Sequence, residues 1–116
     1  MSLLEDLKEL GTNIDEGLER FMGNASLYER MLRTLPGMLR KTDVGEAFAS
    51  GDTKDAEEKA HALKGVTGNL SITPLYEAYT KVVDLLRAGQ DAQAKAVYDE
   101  MIPVQEKVME CIEQHS

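Results

Sequence analysis

Two residue types with nucleophilic or acid–base potential stand out by their rarity: two histidines, His61 and His115, and one cysteine, Cys111. His61 has the more informative neighbours. It lies in the stretch Ala60–Leu70, AHALKGVTGNL, where Lys64 follows it by three residues, Gly65 by four and Gly68 by seven. On a helix these offsets share one face. A histidine, a cation and two bare patches of backbone would therefore line a single stripe. Each glycine costs about 1 kcal/mol relative to alanine in a helix interior, so stability alone does not explain two of them. An exposed, uncharged imidazole is a nucleophile. A phosphoryl group on it at mid-helix would gain little from the helix dipole, which acts in the terminal turns. A cation one turn away, Lys64, would have to offset the charge. Gly65 and Gly68 would leave room for an approaching protein, with Ala62 and Asn69 at the edges of that surface.

No rival chemistry is legible. The chain has no HExxH, no paired CxxC, no GxxxxGK[ST] phosphate loop, no dinucleotide fingerprint and no GxSxG elbow. The two histidines are far apart in sequence, so no metal site is expected. His115 is read as a helix-end residue, Cys111 as a small buried apolar one, and the many carboxylates as solvation. The net charge of −8 argues against nucleic acid and against contact with an anionic membrane surface. No apolar run approaches the roughly 20 residues of a membrane span, and no signal peptide is visible. One cysteine gives no disulfide framework, which fits a reducing cytoplasm.

The elements that must position His61 are all helices. Leu4, Leu7, Ile14, Leu18 and Phe21 predict a short first helix and a second from Ile14 to Met22, ended by Gly23. Asn24 is an N-cap, and Leu27, Met31, Leu35, Met38 and Leu39 form the next apolar face. Pro36 predicts a kink or break near Leu32–Leu35. Thr42 or Asp43 caps a short helix with Val44, Ala47 and Phe48, closed by Ser50 and Gly51. Asp52 or Thr53 caps the central helix, which buries Ala56, Ala60, Leu63, Thr67 and Leu70, turns His61, Lys64, Gly65 and Gly68 the other way, and runs to about Ser71. Thr73 is read as the cap of a helix with Pro74 at its first position, buried through Leu75, Tyr79, Val82, Val83 and Leu86 and stopped by Gly89. Asp91 is read as the cap of a last helix, with the stripe Val97, Met101, Val104, Val108, Cys111 and Ile112 and a kink at Pro103. No strand alternation, repeat or linker interrupts this pattern. The expectation is one all-α domain over residues 1–116: an antiparallel up-and-down four-helix bundle with additional short N-terminal and connecting helices.

The stretch AHALKGVTGNLS resembles the signature of histidine-containing phosphotransfer (HPt) domains, AHxLKGxxxNLG. Ala60, His61, Leu63, Lys64, Gly65, Asn69 and Leu70 match it in type and spacing. The order of helices is similar as well. The resemblance implies a four-helix bundle that accepts a phosphoryl group from a receiver-domain aspartate onto His61 and passes it to another receiver aspartate. It implies a phosphoryl carrier with no autonomous ATP-dependent kinase activity. No cofactor of its own is implied, because the receiver supplies Mg2+. The partner is the receiver of a response regulator or hybrid histidine kinase, and the chain is expected to be a cytoplasmic monomer, alone or as a module of a longer hybrid sensor kinase. Ser71 departs from the family's glycine after Asn-Leu, and Val66 from a small residue; both read as local packing. Val83 falls where many members carry a polar residue supporting the imidazole. Two alternatives stay open: the phosphoacceptor domain of a chemotaxis-type histidine kinase, and a Met-rich helical adaptor without phosphoryl chemistry. A receiver's acidic active site would not be steered toward a chain of charge −8, so apolar contacts would have to supply affinity.

Overall fold

The computed structural model describes residues 2–115. Among these the chain is all-helical, with no strand: α1 (Leu3–Glu9), α2 (Ile14–Arg20), α3 (Ala25–Leu32), α4 (Leu35–Lys41), α5 (Val44–Ala49), α6 (Thr53–Asn69), α7 (Thr73–Arg87) and α8 (Asp91–Gln114). No helix is long and apolar enough to cross a membrane. The long helices α6, α7 and α8 pack in sequence order, α6 on α7 and α7 on α8. Helix α5 lies on α6, and α1 and α4 lie on α8. The domain measures 40 × 24 × 21 Å, its long axis about the length of the 24-residue α8 at 1.5 Å per residue.

The start signals act as local chemistry dictates in most places. Side-chain oxygens of Asn13, Asn24, Asp43 and Asp52 accept from the third backbone N–H beyond them, capping α2, α3, α5 and α6. Ser2 and Glu5 form a capping box on α1. Helix α3 stops at Leu32 and α4 starts at Leu35, with Pro36 in its first turn, so the proline marks a break as its ring requires.

Four local expectations are corrected. The stripe expected through Leu27, Met31 and Met38 is one residue off the observed one: Tyr28, Leu32, Leu35 and Leu39 are buried at spacings of four, three and four, a single stripe across both helices, while Met31 and Met38 are exposed. Thr73 does not cap α7: Ile72 does, by backbone alone. Ile72 closes α6 with its N–H and opens α7 with its carbonyl, which accepts from Leu75 and Tyr76, leaving no place for a side-chain cap. Asp91 is the first residue of α8 rather than its cap, and its carboxylate accepts from Thr53 Oγ1 at 2.9 Å, tying the two helix starts together. The α8 core face runs Ala94, Tyr98, Met101, Gln105, Val108, Ile112; Val97 and Val104 flank it half-buried. Gln105 holds a core position because the buried Tyr79 hydroxyl donates to its Oε1, giving two polar groups partners that an apolar core would deny them. Helix α8 continues through Pro103, which faces solvent.

The core is aliphatic, with Tyr28 and Tyr79 its largest fully buried side chains. Burial pushes the Tyr28 phenol up to about 12, and pushes those of Tyr79 and Tyr98 up as well.

Candidate functional site

Helix α6 carries the site, and its burial pattern fixes the orientation. Ala56, Ala60, Leu63 and Thr67 are buried at spacings of four, three and four, and Leu70 follows at the C-cap. That leaves His61 and Ala62 exposed, Lys64 half-buried, Gly65 exposed, Gly68 half-buried and Asn69 exposed. Counting Thr53 as first, His61 is the ninth of the 17 residues of α6, at its midpoint. The terminal partial charges of the helix are therefore two turns away on either side.

The two glycines are not equivalent. A methyl group built on Gly65 meets nothing within 4 Å, so its bare backbone faces open space. A methyl on Gly68 would lie 2.9 Å from Cδ1 of Tyr76. The Tyr76 ring of α7 thus occupies the space above Gly68, and Gly68 is small for a partner within the chain. Lys64 lies on the same stripe between His61 and Gly65, half-buried, its carbonyl accepting a hydrogen bond from Thr67 Oγ1 at 3.3 Å.

A groove of about 510 Å3 runs along this face. Beyond α6 it is bounded by Glu16 and Arg20 of α2 and by Thr73, Tyr76 and Glu77 of α7. None of these five was expected at the site; Thr73 was read only as a helix cap. Tyr76 had a signal, a glycine eight residues earlier across a short connection. Glu16 and Arg20 had none, because nothing local says where α2 lands. Val83, an apolar residue expected on the buried face of this helix, is fully buried in the α7 core and does not line the groove.

Helix α2 is held at the site by three contacts. Ser71, just past the end of α6, takes a left-handed φ of 58°. Its N–H bonds the Gly68 carbonyl and the Ile72 N–H bonds that of Thr67, which is the Schellman closure, normally made with glycine at this position. With serine rather than glycine there the conformation is strained, and the hydroxyl donates to Glu16 Oε1 at 2.9 Å. The Ser71 carbonyl accepts from the Asn13 N–H at 2.9 Å. The Tyr28 hydroxyl, fully buried, donates to the Leu70 carbonyl at 2.7 Å, satisfying a C-terminal orphan of α6. Gly17 makes room for that phenol, since any side chain there would overlap it. The Ser71 hydroxyl first, and the Arg20 guanidinium second, hold the Glu16 carboxyl below the usual carboxylate range. The groove thus sets two cations, Lys64 and Arg20, against two carboxylates, Glu16 and Glu77, with Glu16 already engaged by Ser71 and by Arg20 at 3.3 Å.

A second groove, about 460 Å3, adjoins the first, sharing Arg20 and Asn69 with it. Its walls are apolar: Phe21 and the exposed Met31 and Met38, with Val66 half-buried on α6. The methionines outside the core therefore border the histidine face.

No metal-binding group was expected, yet the fold brings Asp6, Cys111 and His115 together, far from His61 in the chain. His115 is not a bare helix-end residue: its Nε2 lies 2.8 Å from Asp6 Oδ2. The sequence reading compared the two histidines with each other and passed over the one-turn spacing of Cys111 and His115.

Compared with family models, with curated proteins and with solved structures, the chain gives no match in any of the three.

Proposed function

We propose that this chain is a histidine phosphotransfer carrier, accepting a phosphoryl group from a receiver-domain aspartate onto His61 and passing it to a second receiver aspartate. The observation that carries the reading is the pairing of an exposed His61 at the midpoint of α6 with the open backbone of Gly65 one turn along. Over Gly65 a partner's active site can approach that imidazole without meeting a side chain. Supporting it are the half-buried Lys64 on the same stripe, and the absence among the described residues of a second histidine on the groove. The bundle reading belongs with it: α6, α7 and α8, joined by three-residue connections, run alternately up and down, and α3 with α4 forms the fourth member.

In the transfer step the Nε2 lone pair of a neutral His61 attacks phosphorus of the receiver's acyl phosphate. A P–N bond forms as the P–O bond breaks, and the aspartyl carboxylate leaves with the electron pair while Nδ1 keeps its proton. The receiver brings Mg2+ and most of the charge stabilisation; Lys64 offsets the phosphoryl charge that the helix dipole does not reach. The reverse attack, by a second receiver's carboxylate, returns the group. With no nucleotide-binding motif in the sequence, the carrier depends on its partner for phosphate. The Met31, Met38 and Phe21 groove supplies apolar contact area, which a chain of net charge −8 needs to hold an acidic receiver face.

The test is transfer from a radiolabelled phosphoreceiver to wild type and to His61→Gln. Label on wild type alone, located on His61 by mass spectrometry, is expected. Equal labelling of both proteins overturns the assignment.

A further inference from the structure

We propose that Asp6, Cys111 and His115 form a three-ligand site for a zinc-class divalent cation, which fastens α1 to the end of α8. One ligand atom from each residue, a carboxylate oxygen, a thiol sulfur and an imidazole nitrogen, lies within 4.8 Å of both others. Around a tetrahedral zinc, with bonds of about 2.0–2.3 Å, ligand atoms sit roughly 3.4–3.6 Å apart. The 2.8 Å Asp6–His115 contact must therefore open by well under 1 Å, and the sulfur must close by about 1 Å at most. Both changes are within reach of side-chain rotation alone. Cys111 and His115 are one turn apart on α8 and so project from one face of a helix; Asp6 comes from α1, which packs against it.

The donor set selects the ion. A thiolate and an imidazole disfavour Mg2+ and Ca2+, which take oxygen ligands, and suit Zn2+ or Co2+. Three protein ligands leave a fourth position for water. The surroundings are partly dry: Cys111 is buried, and Asp6 and His115 are half-buried. Binding breaks the Cys111 S–H bond and makes an S–metal bond, with the proton released to solvent. A neutral His115 lends its nitrogen lone pair, and the Asp6 carboxylate exchanges its hydrogen bond to the ring for the metal. No oxidant or reductant is involved. Because Asp6 and His115 are 109 positions apart in the chain, the metal would close a long loop, the geometry in which a cross-link most restricts the unfolded chain.

The experiment titrates the reduced, metal-free protein with Co2+ and then, against a chromophoric chelator, with Zn2+. The expected result is saturation at one equivalent, a thiolate-to-cobalt charge-transfer band in the near ultraviolet, and a Tm that rises with added Zn2+. Loss of a direct ligand should cost more than the roughly 10–100-fold that loss of an outer-shell partner does, so Cys111→Ser and His115→Gln should each bind at least about 100-fold more weakly. His115 lies at the C-cap of α8, outside the core, so its variant keeps the fold. A wild-type protein that gives no charge-transfer band, or variants that bind as tightly as wild type, overturns the site and assigns any residual binding to surface carboxylates.

Discussion

Replacing Gly65 with alanine separates the stability of α6 from the use of its surface. Gly65 is the thirteenth of 17 residues in the helix, before the last turn frays. Its added methyl meets no atom within 4 Å, so the substitution carries no packing penalty. What remains is the intrinsic helix preference of alanine, about 0.8–1.0 kcal/mol. For a domain of 116 residues that raises Tm by about 4 °C. Thermal and urea unfolding followed by far-ultraviolet circular dichroism measure it. The same methyl stands one turn from the imidazole, on the surface proposed to receive a partner. An unwanted methylene in a packed interface costs about 1–3 kcal/mol, so receiver-to-His61 transfer should fall about tenfold or more. Gly68→Ala is the contrast: its helix gain is offset by displacing the Tyr76 ring, and its stability should change little. A Gly65→Ala protein less stable than wild type would refute the open-space argument. A more stable protein that transfers at the wild-type rate would remove Gly65 from the docking surface.

Three other outcomes follow from the same geometry. Lys64→Ala should leave unfolding near wild type and shorten the lifetime of phosphohistidine, followed by 31P NMR after chemical phosphorylation with phosphoramidate; an unchanged lifetime removes the role given to its charge. Tyr28→Phe strands the Leu70 carbonyl in the core and should lower stability by about 1–3 kcal/mol in urea unfolding, with no change in the slope against denaturant. Alkaline pH acts on the same phenol. Its folded value of about 12 lies above the 10.0 of an unperturbed tyrosine, so its contribution is complete below pH 10 and is lost as pH rises toward 12, at about 1.4 kcal/mol per unit. Tyr79 and Tyr98 shift the same way, so unfolding and tyrosinate absorbance should rise together, steeply, in that window. A gradual rise in tyrosinate with the fold intact contradicts it.

The sequence by itself determined what local rules control. Apolar spacing marked seven helical segments, with Pro36 interrupting the third, and Asn, Asp, Gly and Pro marked most of their ends, because caps and breaks are settled within a turn of backbone. It also fixed the outward face of α6, since Ala56, Ala60, Leu63 and Thr67 can be buried only by turning His61 and Gly65 to solvent. The tertiary structure decided everything that depends on where one helix meets another. Gly68 and Gly65 look alike in the chain, and only the landing point of Tyr76 makes one a packing residue and leaves the other bare. Glu16 and Arg20 reach the groove because Tyr28, Gly17 and Ser71 hold α2 against the end of α6, through contacts 42 and 55 residues apart in sequence. Met31 and Met38 lie outside the core because Leu32 and Leu39, each one position further along, take the face that packs inward. Asp6 and His115 meet only because α1 packs on α8, and no pattern along the chain records a contact between its two ends.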